Sequence, residues 1–238
     1  MKIFTYYEEI NFEQQKPLLE LWKISWERNG YEPIVLSRRD AESHPLFPEF
    51  LKEMLDAHLK ITGKPLNKYG VACWVRWLAY AAQNEEGFYM SDYDVFNTGV
   101  KLPSDTPKGD LVFLDWCVPC FVYGSPSGAQ KFCEAVMSSA QREEERFKFL
   151  FEQNKWRHFH DQEFVVAHKD TPIGNFVILP HKDRLVELYD CRSESHSRLV
   201  HLAHRAVGNA KNENPDLADV PSDILRLQIA RGLIQEIP

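Results

Sequence analysis

Extended and helical patterns alternate over residues 1–36, and this alternation restricts the fold more than any other feature of the sequence. Residues 2–7 (KIFTYY) are apolar and β-prone, residues 13–29 carry apolar side chains at helical spacing, and residues 32–36 (EPIVL) are again β-prone. The helical pattern stops at Asn-Gly, a typical helix end. A strand, a helix and a second strand in this order predict a right-handed βαβ unit with parallel strands.

The rest of the sequence continues the alternation, which predicts a single α/β domain over residues 1–238, with a mixed sheet flanked by helices. The most informative later elements are an apolar helix over residues 69–82, a short buried strand over residues 87–90 and a charged helix over residues 141–155. Further strands are predicted over residues 111–114, 117–123, 176–179, 186–189 and 199–202, and further helices over residues 50–59, 125–136, 161–167 and 223–234.

The charge balance narrows the class of ligand. The chain has 28 Lys and Arg residues against 35 Asp and Glu residues, so its net charge is −7. A net acidic surface repels phosphate backbones at long range, which disfavours general nucleic-acid binding. A small anionic substrate remains compatible with the sequence if a metal ion supplies positive charge at the site.

The sequence also bears on the compartment. It has no basic start followed by a long apolar stretch, and no window approaches the roughly 20 apolar residues of a membrane span. There are five cysteines, and Cys117 and Cys120 have C-x-x-C spacing but lie in an apolar run without a second pair. These features predict a reduced, cytoplasmic protein with no signal peptide and no membrane span.

Two aspartates, Asp92 and Asp94, directly follow the predicted buried strand. Ligands of open α/β sheets bind at the carboxyl ends of the strands, and residues two apart in an extended chain point the same way. Both carboxylates are therefore expected to converge on one hard divalent cation, Mg²⁺ or Mn²⁺. The alternative is a simple turn in which the two side chains bind only nearby backbone amides.

Residues 76–96 (RWLAYAAQNEEGFYMSDYDVF) resemble the core of GT-A-fold glycosyltransferases that carry a D-x-D motif. In that group a helix with an arginine leads into a strand and then into two aspartates, as Arg76, Asp92 and Asp94 do here. The resemblance covers residues 1–100 well and the remainder loosely. It implies a sugar-nucleotide-dependent transferase that uses a divalent metal ion.

Two positions depart from the pattern of that group. Cys73 stands where an acidic residue is usual, three positions before the arginine, and Ser91 is an extra residue before the aspartates. The resemblance implies that residues 1–100 form the half that binds the nucleotide sugar and that residues 101–238 form the acceptor side. The residues it assigns to the nucleotide sugar are Thr5, Tyr6, Tyr7, Ser37, Arg38, Arg76, Asp92 and Tyr93.

A histidine at the end of a late strand is often the third metal ligand in related transferases. His201 matches that position, and His204 follows three residues later. A neutral imidazole is a suitable partner for two carboxylates. The alternative is a half-buried histidine that binds only the backbone.

Two further aspartates are candidate catalytic residues. Asp161, with Gln162, resembles a D-Q pair that lies at a helix start near the active site of several such families, where it holds the sugar or the acceptor. Asp115 follows a predicted strand, where it would bind sugar hydroxyls or act as a general base. The alternatives are an Asp that complements the helix dipole and an Asp at a strand end with a structural role.

The sequence therefore predicts a transferase that moves a sugar from a nucleotide-diphosphate donor, UDP- or GDP-linked, to a glycan or a small hydroxyl acceptor. One alternative is a sugar-phosphate nucleotidyltransferase, but the expected Gly-rich loop after the first strand is missing from the sequence EEINFEQQK. The other is a non-catalytic protein of the same fold that binds nucleotide sugars.

Overall fold

The computed structural model describes residues 1–10, 15–104, 111–113, 119–156, 158–168, 176–178, 188–189, 199–203, 207–208, 211–212 and 214–237. Its strands are β1 (Lys2–Tyr6), β2 (Glu32–Leu36), β3 (Phe88–Ser91), β4 (Val95–Asn97), β5 (Leu111–Phe113), β6 (Phe121–Gly124), β7 (Phe176–Ile178), β8 (Leu188–Tyr189) and β9 (Leu199–His201). Its helices are α1 (Gln15–Arg28), α2 (Arg38–Glu42), α3 (Phe47–Thr62), α4 (Lys68–Ala81), α5 (Pro126–Arg142), α6 (Glu144–Gln153), α7 (Asp161–Ala167) and α8 (Ser222–Glu236).

The described strands form one large and one small sheet. The large sheet has six strands in the order β2-β1-β3-β6-β5-β7, and the small sheet has three in the order β4-β9-β8. Strand β1 is parallel to β2 and β3, whereas β6 is antiparallel to both of its neighbours. The structure confirms the predicted βαβ unit and the predicted mixed sheet.

Helices cover both faces of the large sheet because its strands are apolar on both sides. Phe4 and Met90 pack into a core shared with α3, α4 and α5. Ile3 and Tyr89, their neighbours in sequence, pack into a second core shared with α1 and α8. This alternation is the expected two-residue period of a strand buried between two helical layers.

The structure differs from the sequence-based prediction at three places. Helix α2 was not among the predicted helices, and Ser37 and Asp40 fix its start through a 2.7 Å hydrogen bond from the Ser37 amide to the Asp40 carboxylate. Strand β4 was not expected, since three residues are too short to show a period. The charged helix is interrupted at Glu143, which has φ −115° and ψ 22° and separates α5 from α6.

Candidate active site

Asp92 and Asp94 lie in a turn that joins β3 to β4. The turn is closed by a 3.0 Å hydrogen bond from the Val95 amide to the Asp92 carbonyl oxygen, and the Asp92 amide donates to the Cys120 carbonyl oxygen at 2.7 Å. The sequence predicted that Asp92 and Asp94 lie in an extended segment, and this prediction is wrong, although the two side chains do converge. The turn brings them together because it reverses the chain between two buried strands.

Two buried tryptophans of α1 hold this turn on both sides. The Trp22 indole N–H donates to the Ser91 hydroxyl at 2.9 Å, and the Trp26 indole N–H donates to the Val95 carbonyl oxygen at 3.2 Å. Both rings have no exposed surface. Ser91, which departs from the family pattern in sequence, therefore has a structural partner at the end of β3.

Strand β9 brings His201 to the two aspartates. Val95 pairs with His201 in the β4–β9 register, and the Leu202 amide donates to the Asp94 carbonyl oxygen at 2.8 Å. Asp92, Asp94 and His201 each offer one ligand atom, and these three atoms lie within 4.8 Å of one another. We call these three residues the turn cluster. The structure thus brings together the three residues that the sequence assigned to a metal ion.

Two buried arginines pair with the aspartates of the turn cluster. Arg76 Nη1 lies 2.7 Å from Asp92 Oδ1, and Arg226 Nη2 is hydrogen-bonded to Asp94 Oδ2. Arg226 Nε also donates to the Leu202 carbonyl oxygen at 2.8 Å. Each arginine therefore contacts one oxygen of one aspartate of this cluster. The second oxygen of that aspartate is left for a further ligand.

One oxygen of this cluster, Asp94 Oδ1, is buried and has no hydrogen-bond partner among the described residues. His201 Nε2 is 3.6 Å away from it. The pKa of the Asp92 carboxyl rises to about 6, mainly because the surrounding protein desolvates it; Arg76 opposes the rise, and the charge of Asp94 adds to it. An unpartnered carboxylate oxygen beside a second carboxylate and an imidazole fits a hard divalent cation.

A second group of three residues lies on the other side of Arg76. Cys73, His160 and Asp161, which we call the helix cluster, also have ligand atoms within 4.8 Å of one another. Asp161 Oδ2 accepts hydrogen bonds from Arg76 Nε at 2.9 Å, from Arg76 Nη2 at 2.5 Å and from the Trp77 indole N–H at 2.9 Å. Asp161 Oδ1 accepts from the Gln162 amide at 2.9 Å. Both oxygens of Asp161 are therefore engaged.

The other two members of the helix cluster, His160 and Cys73, have raised pKa values, which disfavours the deprotonated forms that bind metal ions. Burial lowers the pKa of His160, but hydrogen bonds to Asp161 and Glu163 and the charges of both carboxylates outweigh it and raise the pKa to about 9. A raised pKa favours the protonated imidazole, which has no lone pair for a metal ion. Burial also raises the pKa of the Cys73 thiol, so the thiol stays neutral. This cluster is built as an anchor for Arg76.

A cavity of about 440 Å³ opens between β1, the start of α4, the turn and α8. Its volume lies within the range of roughly 300–1,000 Å³ typical of small-molecule sites. Aromatic, charged and amide side chains share its wall. The described residues that line it are Tyr6, Glu8, Ile10, Gln15, Asn67, Tyr69, Ala72, Cys73, Arg76, Asp92, Tyr93, Asp94 and Arg226.

The predicted nucleotide contacts at the end of β1 have different environments. Tyr6 lines the cavity and donates its hydroxyl to Glu8 at 3.0 Å. Tyr7 packs edge-to-face on Tyr93, which also lines the cavity, with ring centroids 5.7 Å apart. Thr5 is fully buried, and among the described residues its hydroxyl has no hydrogen-bond partner.

The predicted contacts after β2, Ser37 and Arg38, are not among the described residues that line the cavity. The Ser37 hydroxyl bonds Asp40 at 2.7 Å at the start of α2. Arg38 Nε donates to Glu42 at 3.0 Å, and Arg38 Nη1 lies 3.7 Å from Glu8, itself a cavity residue. A nucleotide role for these two residues stays a prediction.

Asp115 and His204, the remaining candidates, lie outside the described residues. Arg226 is a cavity residue that sequence reasoning missed. A signal for it was present, since Arg226 continues the helical stripe that Ala230, Leu233 and Ile234 bury, and a charge on a buried stripe needs a partner.

In the part of the chain that the structure describes, no helix combines the length and the apolar character that a bilayer crossing requires. Cys73, Cys120 and Cys133 are buried within that part.

No protein-family model and no curated relative matches the sequence. The fold is similar to two solved structures of the glycosyltransferase GlyE of Streptococcus pneumoniae TIGR4. One is described as its apo form and has 12% identity and a TM-score of 0.42 over 94% of this chain and 52% of that one. The other has 13% identity and a TM-score of 0.44 over 95% and 53%. The chain thus spans about half the length of these structures.

Proposed function

We propose that this chain is a metal-dependent glycosyltransferase, which moves a sugar from a nucleoside-diphosphate sugar to a hydroxyl acceptor. The observation that carries the proposal is the turn cluster: two aspartates and a histidine converge at a cavity, and the Asp94 Oδ1 atom is buried without a hydrogen-bond partner among the described residues. The GT-A resemblance of residues 76–96 supports the same function.

Asp92, Asp94 and His201 would hold the ion. Two carboxylates and one imidazole suit Mn²⁺ or Mg²⁺, since both ions prefer oxygen ligands and Mn²⁺ also accepts imidazole. When bound, the ion would act as a Lewis acid that stabilises the charge of the departing nucleoside diphosphate. Removal of Asp94 should therefore affect binding of the diphosphate as well as binding of the metal.

Arg76 and Arg226 would bind the diphosphate of the donor. Both guanidinium groups line the cavity, and each already contacts one aspartate of the turn cluster. Guanidinium N–H groups form strong, directional hydrogen bonds with phosphate oxygens. Together with the ion, they would balance the acidic residues and the phosphate charges.

Asp161 supports the proposal as a positioning residue. Its side chain is 1% exposed, and Arg76 and Trp77 occupy its Oδ2 atom. The pKa of Asp161 is lowered, since the Arg76 charge and the His160 and Trp77 hydrogen bonds outweigh the effect of burial. A general base needs a free oxygen and a pKa near the working pH, so these contacts favour a role in holding Arg76. Asp115 remains the candidate base if the reaction inverts configuration.

The proposal is tested by calorimetric titration of UDP-, GDP- and CMP-sugars into the protein, with and without Mn²⁺. We expect one donor to bind only with the metal, and we expect Asp94→Asn to abolish that binding. Asp56→Asn is the matched control, because Asp56 is exposed on α3 far along the chain from the turn. Release of the nucleoside diphosphate with candidate acceptors then measures turnover.

Absence of donor binding at saturating Mn²⁺ would contradict the proposal. Metal-independent donor binding that survives Asp94→Asn, without release of the nucleoside diphosphate, would favour a binding protein.

A further inference from the structure

An exposed aromatic residue lies on the cavity wall. Tyr69 is 53% exposed. Of the large hydrophobic residues exposed in the described part of the chain, Tyr69 is the one that lines the cavity. An exposed ring beside a ligand cavity is available to contact the ligand.

The Tyr69 ring is held in place. It meets the His160 imidazole edge-to-face, with ring centroids 6.0 Å apart and an interplanar angle of 84°. His160 is fixed in turn by Glu163, whose Oε2 lies 3.0 Å from His160 Nδ1. The neighbouring Cys73 and burial of the hydroxyl raise the pKa of Tyr69, while 53% of the residue remains exposed. A ring held this way loses little conformational freedom when a ligand stacks on it.

The position of Tyr69 relates it to the proposed diphosphate site. Tyr69, Cys73 and Arg76 are spaced i, i+4 and i+7 on α4, and all three line the cavity. Tyr69 is therefore about 10 Å from Arg76 along the helix axis, on the same face. A group attached to, or approaching, a diphosphate at Arg76 would extend toward Tyr69.

We propose that Tyr69 is a stacking platform for a pyranose ring. The C–H groups on one face of a pyranose carry partial positive charge, and the face of an aromatic ring is negative, so the two faces attract each other. Asn67 lines the cavity two residues before Tyr69. Its Oδ1 accepts from the Gly70 amide at 2.8 Å, which leaves its Nδ2 group to donate to a sugar hydroxyl.

This inference deepens the proposed function. It rests on that function only for the identity of the sugar, which belongs either to the donor or to the acceptor. The platform itself is tested without a nucleotide, by saturation-transfer NMR with the methyl glycosides of glucose, galactose and mannose. Tyr69→Phe keeps the ring, and Tyr69→Ala removes it. Phe149→Ala is the matched control, because Phe149 is a 60% exposed aromatic residue that does not line the cavity.

We expect Tyr69→Ala to weaken glycoside binding about threefold to tenfold, the size of one aromatic contact, and the other two variants to bind as the wild type does. Equal binding by Tyr69→Ala, or no glycoside signal from the wild type, would overturn the inference. Glycoside binding that persists with saturating UDP or GDP and Mn²⁺ identifies the acceptor position. Displacement by UDP-glucose or GDP-mannose, but not by UDP or GDP, identifies the donor position.

The same samples separate this inference from the proposed function. If Tyr69-dependent glycoside binding is present but no nucleoside diphosphate binds with Mn²⁺, the transferase proposal fails and the sugar site stands. If the nucleoside diphosphate binds but no glycoside does, the sugar site fails and the transferase proposal stands.

Discussion

The turn cluster and the helix cluster lie on opposite sides of Arg76, and they contain similar ligand types at similar separations. In the helix cluster, Asp161 has both oxygens engaged and His160 has a raised pKa, which favours its protonated form. In the turn cluster, Asp94 Oδ1 has no hydrogen-bond partner among the described residues. Because residue type and proximity are alike in the two clusters, we propose that the unused carboxylate oxygen makes the turn cluster the better candidate for a metal ion.

Arg76 joins the two clusters and makes them depend on each other. It donates two hydrogen bonds to Asp161 and one to Asp92. A buried guanidinium needs opposite charge close by, since its desolvation is costly. Asp161 supplies that charge through two of the three hydrogen bonds, and Asp92 supplies it through the third.

The substitution Asp161→Asn tests most strongly whether the helix cluster is a structural anchor for Arg76. This variant leaves Arg76 buried without its main counter-charge, so we expect the free energy of unfolding to fall by about 3–5 kcal/mol. Denaturant unfolding monitored by tryptophan fluorescence measures the loss. Asp56→Asn should stay within about 0.5 kcal/mol of the wild type, as exposed substitutions do. Equal stability of the two variants would show that Asp161 is not an anchor.

Substitution of one candidate ligand in each cluster tests which cluster binds the metal ion. Asp94→Asn should weaken Mn²⁺ affinity at least about 100-fold, since even residues that only orient metal ligands cost 10-fold to 100-fold. Cys73→Ser should leave Mn²⁺ affinity unchanged, because Cys73 belongs to the helix cluster. Calorimetry with MnCl₂ measures both. The assignment of the ion to the turn cluster is wrong if Cys73→Ser has the larger effect.

The charge of His160 predicts a pH-dependent contribution to stability. Its pKa is raised to about 9 in the folded chain, against about 6.5 for an unperturbed histidine. The protonated His160 therefore stabilises the folded state fully below pH 6.5, and this stabilisation is lost as the pH rises through 9. The stability difference between wild type and His160→Gln should therefore shrink by about 2 kcal/mol from pH 7 to pH 10. Urea unfolding at both pH values checks this, and a constant difference would exclude a charged His160.

Protonation of Asp92 predicts a weaker effect on metal affinity. The pKa of Asp92 is raised to about 6, and a proton on this carboxyl competes with the ion. Mn²⁺ affinity should therefore be nearly constant above pH 7 and fall about tenfold between pH 7 and pH 5. Titrations in matched buffers measure this. Affinity that does not change over that interval would mean that Asp92 is not a ligand.

The parts of the fold that depend on local pattern could be predicted from the sequence. The βαβ unit, the apolar helix α4 and the strand before the aspartates each leave a periodic or apolar signal in consecutive residues. Helix α2 and strand β4 do not, because five and three residues are too few for a period to show. The break at Glu143 also escaped prediction, since it lies inside the continuous charged run of residues 142–146 and no Gly or Pro marks it.

The candidate site could be predicted only where its residues are close in sequence or matched a family pattern. Arg76, Asp92 and Asp94 lie within one continuous segment. The Arg76–Asp161 and Arg226–Asp94 pairs join residues 85 and 132 positions apart, and no local pattern encodes such pairs. Tyr69 had no sequence signal, because it looks like any other apolar residue of α4 until its exposure is known.

We propose that the turn cluster, and not the helix cluster, binds the divalent ion. Anomalous X-ray scattering from crystals soaked in MnCl₂ tests this directly. We expect one manganese peak within bonding distance of the carboxylates of Asp92 and Asp94 and the imidazole of His201. A peak at Cys73, His160 and Asp161, or no peak in the cavity at saturating Mn²⁺, would contradict it.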